Sequence, residues 1–467
     1  MNALEKRFNQ KITENGDESF YSTGDNMLDI LFMSEFYQTH PEQLPSLYGY
    51  FKEDVRAFCM FMRDPRIGLG RRDLGRYLFE KNDWALASMQ DIVASGRYDD
   101  LIHMMWTLYK NGEINDALYF ADFLLAQCGD GDELAKKWMP RLGGKHDHIA
   151  RWFCKEYEMS HQAYQKLCKA NTVERAMSEK RDDEIKYEHV PSLAMLKYYK
   201  KFCQDERFQK YLEDVKAGKK ELKIKTSTPY DIYRNANKLG AEADLFFDKL
   251  PKVPMSVLPI VDSSGSMFDS VDSIGKAVSV AYWLSKNSTY CNGYVVSFSD
   301  DPCLIKLGEG VKYNHWYSNG YEQIIKNNDS VFAKEINSMY TGDCAGSTNF
   351  EETIRLLADL DEYPDWFVAL SDMEWNRNGR NGVLETMKLF EEKGIKTRVI
   401  FWNFNPRNQS VPMTMDEFGN VYFSGYSPWL LQYLQVGFDG QRFLRELIDT
   451  YKKNLNETQG KEFFKIS

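Results

Sequence analysis

The feature that most limits how this chain can fold is a change in its hydrophobic rhythm near residue 250. From about residue 27 to 225 the apolar residues recur at helical spacing. Phe208, Tyr211, Leu212 and Val215 fall at i, i+3, i+4 and i+7 and share one helix face. Breakers at Pro41/Pro45, Gly68/Gly70, Gly129/Gly131, Gly143/Gly144 and Pro191 divide this half into a succession of helices joined by tight turns. Beyond residue 250 short apolar runs alternate with amphipathic stretches, the pattern of a parallel sheet wrapped by helices. The runs are MSVLPIV (255–261), GYVVSFS (293–299), DWFVAL (365–370) and TRVIFW (397–402), with helical stripes Ile274/Val278/Ala281 and Phe350/Ile354/Leu357 between them. Pro259 cannot donate to a sheet ladder, so a bulge is expected in the first run. Residues 226–250, with Pro229 and with Pro251 and Pro254 just beyond, read as a passage between two domains, 1–250 and 251–467.

A length of 467 residues is too much for one hydrophobic core. Hydrophobic residues at 43% and charged residues at 27% exclude a disordered chain. A net charge of −10 argues against indiscriminate coating of nucleic acid, but the charge is segregated. Residues 1–50 hold three Lys/Arg against eight Asp/Glu, and residues 191–230 hold ten against five. The eight cysteines form no C-x-x-C pair, which disfavours a disulfide framework or a zinc ribbon and fits a reducing, cytoplasmic location. With no apolar signal core and no long apolar run, neither secretion nor a membrane partner is expected.

In a doubly wound sheet, ligands bind outside the carboxyl ends of the strands. Three segments fall there. Asp262-Ser263-Ser264-Gly265-Ser266 follows the first run, Gly346-Ser347-Thr348-Asn349 precedes a helix, and Ser371-Asp372 closes DWFVAL. The D-x-S-x-S spacing turns alternate side chains toward one point while Gly265 permits the turn. Asp262, Ser264, Ser266, Thr348 and Asp372 make an all-oxygen donor set, which a small hard dication accepts at roughly 2.0–2.1 Å while keeping waters. Mg²⁺, or Mn²⁺, is therefore the expected cofactor. Zinc and copper prefer nitrogen and sulfur. The open coordination position suits a carboxylate from a protein partner. The competing reading is that these hydroxyls only cap helices and close turns.

DSSGS, GSTN and the Ser371-Asp372 pair match, in identity and order, the metal-ion-dependent adhesion site of von Willebrand A domains. Further upstream, Arg63-Asp64-Pro65-Arg66-Ile67-Gly68-Leu69-Gly70-Arg71-Arg72 and Ser95-Gly96-Arg97-Tyr98-Asp99-Asp100-Leu101 resemble a family of uncharacterised viral, plant and fungal proteins. That family joins a TROVE-like helical module to a von Willebrand A domain. Asn15-Gly16, Val173-Glu174-Arg175, Val190-Pro191-Ser192 with Ala194, and Phe401-Trp402-Asn403 extend the likeness from about residue 15 to 435. The family's usual G-K-G-E-R here reads Gly68-Leu69-Gly70-Arg71-Arg72, and its G-G-T reads Gly346-Ser347-Thr348. The wider architecture is similar to the Ro ribonucleoprotein autoantigen, whose helical ring binds RNA. The resemblance implies a HEAT-like helical repeat domain over 1–250, then a Rossmann-like von Willebrand A domain over 251–467, acting as an RNA-binding scaffold.

RNA needs cations for phosphates and flat rings for bases. Arg63, Arg66, Arg71, Arg72 and Arg76 cluster against only Asp64 and Asp73. Lys197, Lys200 and Lys201 interleave with Tyr198 and Tyr199, and Lys216, Lys219, Lys220, Lys223 and Lys225 follow. The plainer alternative makes each cluster a solvated helix face, with Arg66 and Arg71 capping or pairing at helix ends. No catalytic constellation emerges. Ser264 lacks the glycine of a nucleophile elbow, H-E-x-x-H and the phosphate loop are absent, and His146/His148 fit an exposed loop better than a metal pair. The expectation is a binding protein, not an enzyme. Met373, Trp375, Trp402 and Trp429 near the metal loops read as packing. A last helix rich in Arg442, Arg445 and Lys452 is a candidate to fold back onto the helical half.

Overall fold

A computed structural model describes residues 9–12, 18–64, 68–81, 98–224, 227–252, 254–268, 272–311, 325, 328–339, 348–358, 360–375, 379–405, 421–426, 445–446, 448–449 and 451–453. The chain forms two compact units, one of residues 1–49 and 191–450, the other of 50–190 and 451–467. This division is distinct from the change of element type near residue 250, because each unit is built from two separated stretches of chain.

The unit containing residues 50–190 is helical. Its main helices are Lys52–Arg63, Arg72–Lys81, Tyr98–Lys110, Ile114–Gly129 and Asp147–Glu156, with shorter ones at Glu133–Trp138, His161–Leu167 and Val173–Ser178. Local sequence explains several starts. Asp132, Ser160 and Thr172 stand at N-caps, and each accepts a bond from a backbone N–H of the first turn. Phe58, Phe61, Leu74, Leu101, Phe120, Leu124 and Phe153 fill the interior.

The other unit is α/β. A hairpin of β1 (Gln10–Ile12) and β2 (Glu18–Phe20) precedes helices Asn26–Phe32 and Ser34–Thr39. After the break come helices Ser192–Phe202, Glu206–Lys216, Pro229–Leu239 and Ala243–Asp248. Phe208, Tyr211, Leu212 and Val215 are all buried, as the helical period requires. The passage expected over 226–250 is a correction: the segment is two packed helices. Thr228 and Asp231 close a reciprocal capping box there, and Pro229 at the first turn forfeits no hydrogen bond.

The sheet comprises β3 (Val257–Asp262), β4 (Tyr294–Phe298), β5 (Pro302–Lys306), β6 (Gly310–Val311), β7 (Trp366–Ser371), β8 (Arg398–Asn403) and β9 (Val421–Ser424). Its order is β6-β5-β4-β3-β7-β8-β9. β4, β3, β7, β8 and β9 run parallel, while β5 and β6 continue antiparallel. The four central strands are the four apolar runs of the sequence. No bulge marks Pro259: β3 pairs with β7 in unbroken register from Val257↔Trp366 to Val261↔Leu370. Pairing with β4 begins only at Ile260, so the residue without an N–H lies where one flank of the strand is still unpaired. From β3 the order leads to β4 on one side and to β7 on the other, which makes the β3/β7 ends the switch point.

Candidate metal centre

Asp262 is the last residue of β3 and Asp372 follows the last residue of β7, its hydrogen-bonded neighbour. Parallel pairing of adjacent strands therefore brings the two carboxylates to one end of the sheet. Both are buried, and so are Ser264 and Thr348, while Ser266 is half-buried. The Asp262 carboxylate accepts the Ser264 N–H at 2.9 Å and the Ser371 hydroxyl at 2.5 Å. Ser264 and Ser266 hydroxyl oxygens lie 3.3 Å apart. Asp372 repeats the turn, accepting the Glu374 N–H at 3.3 Å, and Met373 between them takes a left-handed φ of 62°.

The same strand end anchors the remaining segments. Ser263 donates its N–H at 2.8 Å and its hydroxyl at 2.9 Å to the Phe298 carbonyl at the end of β4. The next carbonyl, Ser299, accepts the Asn349 N–H at 2.9 Å, fixing Thr348 ahead of helix Phe350–Ala358. Gly346 and Ser347 lie outside the described residues. Asp262, Ser264, Ser266 and Asp372 are thus gathered at one strand end, and Thr348 is tied to it through β4.

The turns at Asp262 and Asp372 close on their own backbone N–H groups, and burial adds an electrostatic cost at Asp262. Burial pushes the Asp262 carboxyl up to about 7, the charge of Asp372 pushes the same way, and bonds from Ser264 and Ser371 oppose the rise. Asp262 has no ion-pair partner among the described residues. Two buried carboxylates at the ends of adjacent strands, with hydroxyl oxygens at hand, form a set that a hard dication would satisfy. Ser371 belongs to this arrangement although the sequence reading assigned it no role. Met373, Trp375 and Trp402 are buried, Trp375 stacking on Phe350 at 4.5 Å, which matches their reading as packing; Trp429 lies outside the described residues.

The proposed RNA residues fare unevenly. Arg66 lies outside the described residues. Arg71 is 8% exposed. Arg76 is committed to Asp99 at 2.9 Å and Asp100 at 2.6 Å, and buried Arg63 lies 2.5 Å from the same Asp100. Arg72 is exposed and pairs with Asp73. Lys197, Lys200, Lys201, Lys216, Lys219, Lys220 and Lys223 are all exposed, with Lys216 paired to Glu242 at 2.6 Å. Tyr199 is buried, and Tyr198 is half-buried with the Lys197 ammonium 4.8 Å from its ring centre. The exposed loop expected for His146 and His148 is corrected: His146 stands at the N-cap position of helix Asp147–Glu156 without a side-chain cap bond and His148 lies within that helix, both exposed.

Fold and site together define an α/β unit bearing a buried oxygen-donor cluster at its switch point, accompanied by a helical unit. Residues 158–266 match the profile of a family described as "Domain of unknown function (DUF2828)". A stretch of 322 residues, 60% of the chain, is 22% identical to Uncharacterized protein L728 of Acanthamoeba polyphaga mimivirus. The chain spans 53% of that relative's length. Among solved structures, the Ro (RSR) protein of Deinococcus radiodurans matches over 93% of this chain and 96% of that one, at 11% identity and a TM-score of 0.36. Among the described residues no helix is long and apolar enough to cross a membrane.

Proposed function

We propose that the α/β unit is a divalent-cation-dependent binding module of von Willebrand A type. Asp262, Ser264, Ser266, Thr348 and Asp372 hold Mg²⁺ or Mn²⁺ directly or through water, and an acidic side chain of a partner completes the shell. The observation that carries this reading is the buried Asp262/Asp372 pair, which a cation would relieve. Calorimetry with MgCl₂ or MnCl₂ at millimolar concentration tests it: the native chain takes up the ion, and Asp262→Ala and Asp372→Ala do not. Absence of uptake by a folded native chain sinks the proposal.

A second reading, binding of single-stranded or structured RNA, draws support from the exposed lysines of 197–223. Arg71 and Arg76 play no part in it, one being buried and the other paired. Each phosphate neutralised on a single strand contributes about −0.7 to the slope of log K against log salt. Replacing Lys219, Lys220 and Lys223 together by Glu should therefore weaken RNA binding and flatten that slope by roughly 2. An unchanged slope, or an affinity indifferent to salt, removes this reading.

A further inference from the structure

The helical unit carries a ladder of rings that neither reading uses. Trp106 and Tyr109, near the end of helix Tyr98–Lys110, stack with centroids 5.2 Å apart and planes at 23°. Trp106 then meets His148 edge-on at 5.1 Å, and His148 meets His146 at 6.2 Å. Trp152 backs the ladder, 5.3 Å from Tyr109 and 6.2 Å from Trp106. Exposure rises along this series. Trp152 is buried at 8%, Trp106 and Tyr109 are half-buried, and both histidines are open to solvent. A ladder serving only the core would be covered at both ends. Trp106 also holds its ring N–H buried without a hydrogen-bond partner among the described residues, as do Trp152 behind it and Trp375 in the other unit.

Two lysines lie beside the ladder. The Lys110 ammonium lies 6.0 Å from the Trp106 ring centre, and Lys145 precedes His146; both lysines are exposed. Neither has an ion-pair partner among the described residues. The nearby carboxylate of Asp147 is occupied by the Arg151 side chain at 2.5 Å and the Gly143 N–H at 2.7 Å, so it does not offset them. Burial, followed by the positive charges of Lys145, His148 and Arg76, holds the His146 pKa below its usual value, which reports the same cationic surroundings. Open rings beside unpaired lysines are what unpaired bases and their phosphates require.

We propose that this ladder is a stacking site for single-stranded RNA, in which an unpaired base packs on the open end formed by His148 and Trp106 while Lys110 and Lys145 take the flanking phosphates. The proposal rests on the RNA reading above but uses different residues, so the two can fail separately. The test measures binding of the full chain to a fluorescent uridine oligomer and to an abasic oligomer of the same length and charge. Native protein should prefer the uridine strand. His148→Ala, an exposed change that spares the core, and Trp106→Phe should each erase most of that preference, a loss of roughly tenfold in uridine affinity, while leaving the abasic affinity unchanged. Lys110→Glu with Lys145→Glu should weaken both strands. Equal native affinity for the two strands, or full uridine affinity in His148→Ala, overturns the stacking site. If Lys219/Lys220/Lys223→Glu still weakens binding in that case, the RNA reading survives without it. If the native chain binds neither strand, both are overturned.

Discussion

At the residue scale, the proposed cation site turns on Asp262. Its folded-state pKa of about 7 stands above the ordinary value of 3.8, so between those values the folded chain keeps a proton that the unfolded chain has lost. Stability of the cation-free protein should therefore fall as pH rises from about 4 to about 7, by the linkage of proton uptake to folding. On the proposed reading a bound dication would replace that proton. The rise in melting temperature produced by MgCl₂ should accordingly be larger at about pH 8 than at about pH 5. Scanning fluorimetry measures it, and equal rises at both pH values would mean that the cation does not meet Asp262. The sequence drew attention to this residue because D-x-S-x-S after an apolar run turns alternate oxygen-bearing side chains to one point at a strand end. It could not assign Ser371, since a serine ending a strand has no distinguishing neighbour until strand order is known. Only the β3/β7 pairing brings the Ser371 hydroxyl to Asp262.

At the element scale, the arginine cluster shows what linear spacing conceals. Arg63 and Arg76 look unopposed locally, because their partners Asp99 and Asp100 come from the next long helix and lie more than twenty residues on. Helices Lys52–Arg63 and Arg72–Lys81 approach closely at Gly75, where an added Cβ would come within 2.8 Å of the Arg63 side chain. Gly75→Ala should cost about 1–3 kcal/mol through overpacking, despite alanine's better helix propensity. Asp100→Ala leaves buried Arg63 and half-buried Arg76 to share the single Asp99 carboxylate and should cost about 3–5 kcal/mol. Urea denaturation checks both, and an Asp100→Ala chain as stable as the native one would show the pair to be dispensable. The sheet was legible at its centre for a simple reason: strands flanked on both sides read as continuous apolar runs. Its margins were not. β5 opens on Pro302 and leaves all but one of its residues half-buried, β6 has two residues and β9 four, too short for a pattern to emerge.

At the scale of the whole molecule, the discontinuous units were invisible to a reading that cuts the chain once. Nothing in local composition announces that residues 1–49 belong with the sheet; for 451–453 only the basic character of the last helix pointed toward the helical half. Side-chain contacts show both. In the α/β unit the Phe32 ring meets Tyr422 of β9 at 5.8 Å, and the Ser34 and Ser424 hydroxyls are 3.4 Å apart. In the helical unit Tyr451 is fully buried, edge-on to Phe61 at 5.6 Å and donating to Asp64 at 3.3 Å, and Lys452 pairs with Asp54 at 2.7 Å. Of the basic residues expected to fold back, Lys452 does so, whereas Arg442 lies outside the described residues. Each distant segment should then stabilise its own unit. Tyr451→Ala removes a buried ring and should cost about 3–5 kcal/mol, confined to the helical unit. Phe32→Ala should instead loosen the margin of the sheet at β9. Hydrogen exchange separates the two, because local opening raises amide exchange only in the elements that lose support. Amides of helix Lys52–Arg63 should exchange faster in Tyr451→Ala while those of β3 and β7 keep their protection, with the opposite ranking for β9 in Phe32→Ala. Faster exchange in β8 and β9 on changing Tyr451, with Lys52–Arg63 unaffected, would assign the 451–453 segment to the sheet and dissolve the division.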